Sequence, residues 1–404
     1  MSKKQHILFL APASIPVHSA EAIVNFKLLR LLVSKGYAVD VISKKYKWDR
    51  YPIMDEQNIR KELSSVTVIE VSNKIDWSSL WLHFRSWLRF GMLFKGIHWA
   101  YLASREVESL VKRNDYLCVM TKNMPSEVVG RWVKRRYGIP WLATWNDPYP
   151  LERYPEPYGK GPDARLFLLK KPLIGQMREA DAHIYPSARL RDYMQEYLHC
   201  AQEKTYVIPH IAESMEYCQR EHDGKLRICY IGSLVDARKP WTFLEAVSKF
   251  KQKHETHNFI IDFIGDVPSE MNMRIADEGL ADIVTVQPPV SYKESIELLR
   301  HYDVSLIIEA PCKVGIFLPS KVSDAMANGL TVFAVSPAQG VLYDLYESGY
   351  VQYFSDVTDV MSITNALDKL VGDYESGELK GSSVPDEYKV ESVGEQYDSI
   401  MTSL

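Results

Sequence analysis

The chain has 404 residues, 46% of them hydrophobic and 25% charged, with a formal net charge of -4; this is a folded globular protein long enough for two domains, and a disordered or fibrous chain is excluded. Its apolar runs are too short for a spanning helix, and Met-Ser-Lys-Lys-Gln-His leads into only Ile7-Leu8-Phe9-Leu10, so no secretory signal is expected. Five scattered cysteines (Cys118, Cys200, Cys218, Cys229, Cys312), never spaced as CxxC, argue against a disulfide framework or a zinc cage and fit a reducing cytoplasm.

In chain order, a strand-like run at 6–12 is followed by a helical pattern at 21–35 and strands at 37–43 and 66–71. Residues 76–101 then concentrate Trp77, Trp81, Phe84, Trp87, Phe90, Phe94, Trp99 and Tyr101 among Arg85, Arg89 and Lys95. Trp77, Trp81, Phe84, Leu88 and Met92 share one helical face, with Arg85 and Arg89 off it. Such a stripe suits either a core helix or a helix lying in a membrane interface. Strands at 116–121, 139–146, 181–186 and 205–209 and a helix at 125–136 complete the first half.

After a join at 211–224 the rhythm repeats, with strands at 227–232, 259–265, 283–287, 304–309, 330–335 and 350–355. Two doubly wound α/β domains in series are predicted, with ligands beyond the carboxyl ends of the strands in a cleft between them. Charge changes sign at the join. Residues 1–215 carry 32 Lys+Arg against 22 Asp+Glu, and the remainder 16 against 30. The first half is therefore expected to face something anionic, and a membrane surface fits better than nucleic acid, because no RNA-binding motif accompanies the basic and aromatic residues.

Neither half has GxGxxG after its first strand, the P-loop pattern is missing, and there is no DxD. A dinucleotide redox enzyme and a metal-bridged diphosphate site are thus disfavoured, and no metal is expected. Two segments carry candidate chemistry. The strand before Gly232 ends in Gly232-Ser233-Leu234, and Arg238-Lys239-Pro240 precedes a helix from Trp241. Glycine there allows close approach of a ligand, and two cations at a helix start are poorly placed for its dipole unless an anion joins them. Further on, a strand ends at Glu309, Gly315 lies in the following loop, and Pro319-Ser320-Lys321 opens a helix that carries Asp324 and stops at Gly329. Its first-turn amides and Ser320 suit a diphosphate, with Lys321 as a point charge and Asp324 on the same face as an acceptor for ribose hydroxyls. Each residue alone has an ordinary structural reading as a surface cation, a helix start or a first-turn acid.

Together these segments resemble the family-four retaining glycosyltransferases of the GT-B fold, common in bacterial polysaccharide and lipid-linked oligosaccharide assembly. Gly232, Ser233, Leu234, Arg238 and Pro240 match one motif of that family, and Pro319, Ser320, Lys321, Asp324 and Gly329 another. Trp145-Asn146-Asp147-Pro148-Tyr149 is similar to its Arg-Asp-Pro-Trp element, and Val207-Ile208-Pro209 to its run into the second domain. Three positions depart from the pattern: Asp324 replaces a glutamate, Ile316 replaces its paired acid and leaves Glu309 as a substitute, and Asn146 replaces an arginine.

The resemblance implies two Rossmann-like domains facing across a cleft: 1–212 binding the acceptor, 213–387 binding a nucleoside-diphosphate sugar, and 388–404 a helix returning to the first. It implies sugar transfer with retention to a glycan or lipid-linked acceptor, in cell-surface polysaccharide synthesis on the cytoplasmic face of the membrane, without metal or other cofactor. Arg238 and Lys321 would stabilise charge growing on the diphosphate, and Gly232, Ser233, Lys239, Glu309, Gly315, Ser320 and Asp324 would bind the donor. Asp147 and His18, which follow strand ends, are the acceptor-side candidates. A nucleotide-sugar epimerase of the same architecture, or a non-catalytic sugar-nucleotide or glycan-binding partner, are the alternatives.

Overall fold

The computed structural model describes residues 5–15, 19–45, 61–72, 79–161, 171–214, 224–234, 237–254 and 258–404. Two parallel sheets organise them. The first contains β1 (His6–Leu10), β2 (Ala38–Lys45), β3 (Val66–Ser72), β4 (Tyr116–Lys122), β5 (Trp141–Thr144), β6 (Ala182–Tyr185) and β7 (Thr205–Val207), in the order β3-β2-β1-β4-β5-β6-β7. The second contains β8 (Leu226–Ile231), β9 (Phe259–Ile264), β10 (Val284–Gln287), β11 (Val304–Ile308), β12 (Thr331–Ser336) and β13 (Tyr353–Asp356), in the order β10-β9-β8-β11-β12-β13. Every strand pair is parallel. The strand order reverses between β1 and β4 and between β8 and β11, and such reversals open a crevice at the carboxyl edge of a sheet.

Strands buried on both faces read as continuous apolar runs, which is why β1, β8 and β11 stood out. In the second sheet Ile228 and Tyr230 of β8 point into one core with Phe243, Phe263 and Phe333, while Cys229 joins Ile307, Val322 and Leu342 on the other side. Strand β5 is shorter than the predicted 139–146 run, starting only after Pro140, which has no N–H to give a ladder. Helix starts follow local chemistry: the Ser19 side chain accepts from the Ala22 amide at 3.1 Å ahead of the helix Ala20–Ser34, and Ser291 and Glu294 form a reciprocal capping box.

The described residues divide into two compact units. The first gathers those of 1–154, 161–211 and 390–404, the second those of 155–160 and 212–389. The last helix, Val390–Thr402, is held in the first unit by Asp398, which receives bonds from Lys35 at 2.7 Å and Tyr37 at 3.0 Å. Gly394 permits that contact, since a Cβ there would lie 2.5 Å from Cε of Lys35. Residues 155–160, which the sequence places in the first domain, belong to the second unit because Tyr158 packs on Arg238 and Phe317.

Candidate functional site

In the second unit the candidate residues converge at the strand-order reversal. Strand β8 ends at Ile231, and Gly232 follows with φ of +130°, its amide bonded to the Ile264 carbonyl at 2.8 Å. A Cβ at Gly232 would stand 3.0 Å from the Lys321 ammonium, so glycine lets the lysine reach the strand end. Lys321 lies 3.7 Å from the centroid of the Tyr230 ring, a cation–π contact. Burial, and then the like charge of Arg238, push its ammonium down to about 7. Arg238 donates from Nε to the Tyr158 hydroxyl at 3.2 Å.

On the neighbouring strand, β11 leads to Glu309, which is buried and accepts from the Ser336 hydroxyl. Burial raises this carboxyl, opposed by Ser336, Arg238 and Lys321. Gly315 passes directly over it: a Cβ there would lie 3.0 Å from the Glu309 Oε2. Gly315 is pinned to the next loop by its amide to Gln339 and by the Val341 amide to its carbonyl, both 2.8 Å. The position eight before Asp324 is Ile316, buried in the structure, so Glu309 is the carboxylate beside the cations. Ser320 is the first residue of the helix Ser320–Ala327, whose N-cap, Pro319, offers no side-chain acceptor to the first-turn amides. Asp324 is buried and receives the Tyr292 hydroxyl at 3.4 Å; the same hydroxyl is 3.4 Å from Glu213.

Gly232, Arg238, Glu309, Gly315 and Lys321 thus form one cluster, with Ser320 next in chain and Asp324 one turn further. Ser233 and Lys239 are turned differently. Ser233 is exposed and bonds Asp266 at 3.4 Å, and Lys239 is exposed with its charge felt at Glu270. Tyr158 and Tyr230 escaped the sequence reading. Tyr230 is hidden inside an apolar run, and Tyr158 sits in a Pro- and Gly-rich stretch eighty residues from its partner.

In the first unit Asp147 is half-buried after β5, at the carboxyl edge of the strand next to β4. It acts on Glu21, from the first turn of the helix Ala20–Ser34, and on Lys122, which ends β4. Glu21 receives Asn123 Nδ2 at 3.1 Å, and Lys122 donates to Asn146 Oδ1 at 3.2 Å. Burial and then Asp147 raise the Glu21 carboxyl, and burial lowers the Lys122 ammonium against the pull of Glu21, Glu127 and Asp147. Asn123 adopts φ of +54°, an uncommon conformation for a residue other than glycine. Glu21 and Lys122 were not among the candidates, because a first-turn acid and a strand-end lysine carry no motif. His18 lies outside the described residues.

The aromatic segment divides. On the helix Ser79–Phe90, Trp81 is 61% and Leu88 62% exposed, and Leu80, Phe84 and Trp87 are also exposed. Trp81 stacks on Phe84 at 5.7 Å, and the Arg85 guanidinium lies 5.6 Å from the Trp81 ring. Phe90, Trp99 and Tyr101 are core. Trp77 lies outside the described residues. Arg89 departs from the expected surface role: it turns inward, bonding Ser104 at 2.6 Å and Glu108 at 2.9 Å and lying 5.0 Å from the Trp132 ring. Among the described residues no helix is long and apolar enough to cross a membrane.

Comparison with known proteins agrees with this architecture. The profile of Glycosyltransferase Family 4 matches residues 22–212, and that of Glycosyl transferases group 1 matches residues 218–379. Among solved structures, a sucrose-phosphate synthase from Thermosynechococcus elongatus superposes with a TM-score of 0.71 at 14% identity, covering 99% of each chain. Anabaena HepE, solved with UDP and glucose, gives 0.68 at 14% identity over 98% of this chain and 99% of its own. WaaG, a glycosyltransferase involved in lipopolysaccharide biosynthesis, gives 0.64 at 13% identity over 98% and 100%. No curated protein sequence matches.

Proposed function

The chain belongs to the family-four glycosyltransferases of the GT-B fold, and from that premise we propose that it moves a hexosyl or N-acetylhexosaminyl group from a nucleoside-diphosphate sugar to a glycan or lipid-linked acceptor. The observation that carries the donor assignment is the state of Lys321. Its ammonium is desolvated and faces a second cation, Arg238; both effects disfavour the charge, and an anion placed between the two would relieve both. The diphosphate of the donor is such an anion. Ser320 and the first-turn amides face it as neutral donors, and Asp324 accepts from the ribose.

Transfer runs with retention. The bond from the anomeric carbon to the diphosphate oxygen breaks, its electron pair stays on phosphate, and the acceptor oxygen attacks from the same face as its proton passes to the departing diphosphate. Arg238 and Lys321 hold the charge that grows on that oxygen, so no divalent metal is needed. No glycosidase-like carboxylate pair is called for. On the acceptor side, Asp147 with Glu21 receives hydroxyl hydrogen bonds. The support for UDP as a first ligand to try is that HepE was solved with it.

The test is UDP binding followed against pH. Lys321 titrates near 7 in the free protein, whereas the bound diphosphate favours its charged form, so binding above that pH takes up a proton. Affinity is expected to fall by up to tenfold per pH unit as pH rises above about 7, and the slope should vanish in Lys321→Ala. For the free protein the sign is opposite: the unfolded chain holds this proton up to the ordinary lysine value, so Lys321 makes stability rise with pH across the same window. A pH-independent affinity would remove Lys321 from the donor site.

The exposed aromatic face of the helix Ser79–Phe90, beside Arg85 and on the more basic half, supports placement on an anionic membrane surface, where lipid-linked acceptors reside. Trp81→Ser with Phe84→Ser, and separately Arg85→Glu, are expected to lower sedimentation with phosphatidylglycerol vesicles while leaving Tm within a few degrees. Unchanged sedimentation in both variants would contradict the membrane placement. Arg89→Glu is the contrasting change: it strands a charge against Glu108 and should destabilise the fold.

A further inference from the structure

The donor-side cluster contains a side chain from the other half of the chain. Residues 154–161 form a closed loop, with the Gly161 amide bonded to the Tyr154 carbonyl at 2.8 Å. Inside it the Tyr158 and Gly159 amides bond back to the Pro155 carbonyl at 2.9 and 3.0 Å. This tight turn presents Tyr158 to two segments at once. Its hydroxyl oxygen accepts Nε–H of Arg238 at 3.2 Å, with the guanidinium carbon 6.0 Å from the ring centroid. Its ring meets Phe317 edge-on at 5.6 Å, and Phe317 belongs to the loop that runs into Ser320 and Lys321.

A guanidinium has five N–H donors in one plane, and its Nη1/Nη2 edge is the fork that fits two oxygens of a phosphate. A long arginine side chain can present either that edge or its Nε side. We propose that Tyr158 is a positioning residue for Arg238: by accepting Nε–H it fixes the plane of the guanidinium and leaves the Nη1/Nη2 fork for the diphosphate, while its ring braces the loop before Lys321. A phenol suits the task because it accepts the bond without neutralising the charge, as a carboxylate would. Burial keeps the hydroxyl protonated in spite of Arg238, so it retains a hydrogen to give to a phosphate oxygen. Glu309 and Tyr230 also act on the guanidinium, while Lys321 is the like charge it faces.

This inference rests on the reading that Arg238 meets the donor diphosphate, and a double-mutant cycle separates the two. UDP and inorganic pyrophosphate are titrated into wild type, Tyr158→Phe, Arg238→Ala and the double variant, and the Arg238 Nε–H resonance is recorded without ligand. Tyr158→Phe is expected to weaken binding about tenfold or more when Arg238 is present and less than twofold when it is absent, and to shift the Nε–H signal in the free protein. A silent Tyr158→Phe beside a damaging Arg238→Ala would overturn the positioning role while sparing the donor site. Equal losses in both backgrounds would show that Tyr158 acts through some other group. A silent Arg238→Ala, or wild type that binds neither probe, would overturn the donor-site reading beneath it, and an unmoved Nε–H signal would refute the contact itself.

Discussion

Arg238→Ala and Lys321→Ala are each expected to lower turnover at least a hundredfold, the loss that follows removal of one preorganised partner of transition-state charge. Their effects on stability differ from those of ordinary buried residues. Burial and Arg238 both oppose the charged form of Lys321 and push its ammonium down to about 7, so its removal should leave Tm unchanged or raise it. A site strained in this way trades stability for binding. Activity assays at saturating donor, paired with thermal melts, check both halves. Near wild-type rates in the two variants would place the chemistry elsewhere, and a large drop in Tm for Lys321→Ala would show a structural lysine.

The second large effect concerns backbone packed against Gly232. Gly265 follows β9 with φ of +139°, and a Cβ there would sit 2.3 Å from the Gly232 carbonyl oxygen. No side-chain rotation relieves that overlap, because both atoms are backbone. Gly265→Ala is therefore expected to cost about 3 kcal/mol from the strained φ and the collision together, lowering Tm by roughly 6–12 °C. It should also displace Gly232 and abolish nucleotide binding. Gly279→Ala is the control: φ is +67°, and nothing lies within 4 Å of the added carbon, so only the left-handed penalty of about 1–2 kcal/mol remains. Equal losses in the two variants would mean that the approach of Gly265 to Gly232 is not critical.

Much of the fold was legible because a parallel sheet buried on both faces writes each strand as a compact apolar run. Each of the thirteen strand-like runs corresponds to a strand of the two sheets, and strand ends shifted where Pro140 withheld a donor. The donor cluster was legible where glycine and cation share a short segment, as at Gly232 with Arg238 and at Pro319-Ser320-Lys321. What sequence could not convey was direction. Lys239, adjacent to Arg238, points to solvent, and Arg89, one turn from exposed Arg85, is half-buried against Ser104 and Glu108. Contacts between distant segments were equally hidden: Tyr158 on Arg238, and Glu21 beside Asp147. The aromatic stripe had two readings with the same periodicity, and only burial separates exposed Trp81 from buried Trp99.

The most direct measurement is release of nucleoside diphosphate from a panel of nucleotide sugars, in EDTA, with and without extracted glycans and lipid-linked oligosaccharides. Glycosyl transfer through Arg238 and Lys321 should show at least one donor whose diphosphate release rises steeply with one acceptor, one glycosidic bond forming per diphosphate, unaffected by EDTA and lost in both variants. Isomerised nucleotide sugar without diphosphate, release restored only by manganese, or tight binding with no turnover across the panel would contradict it.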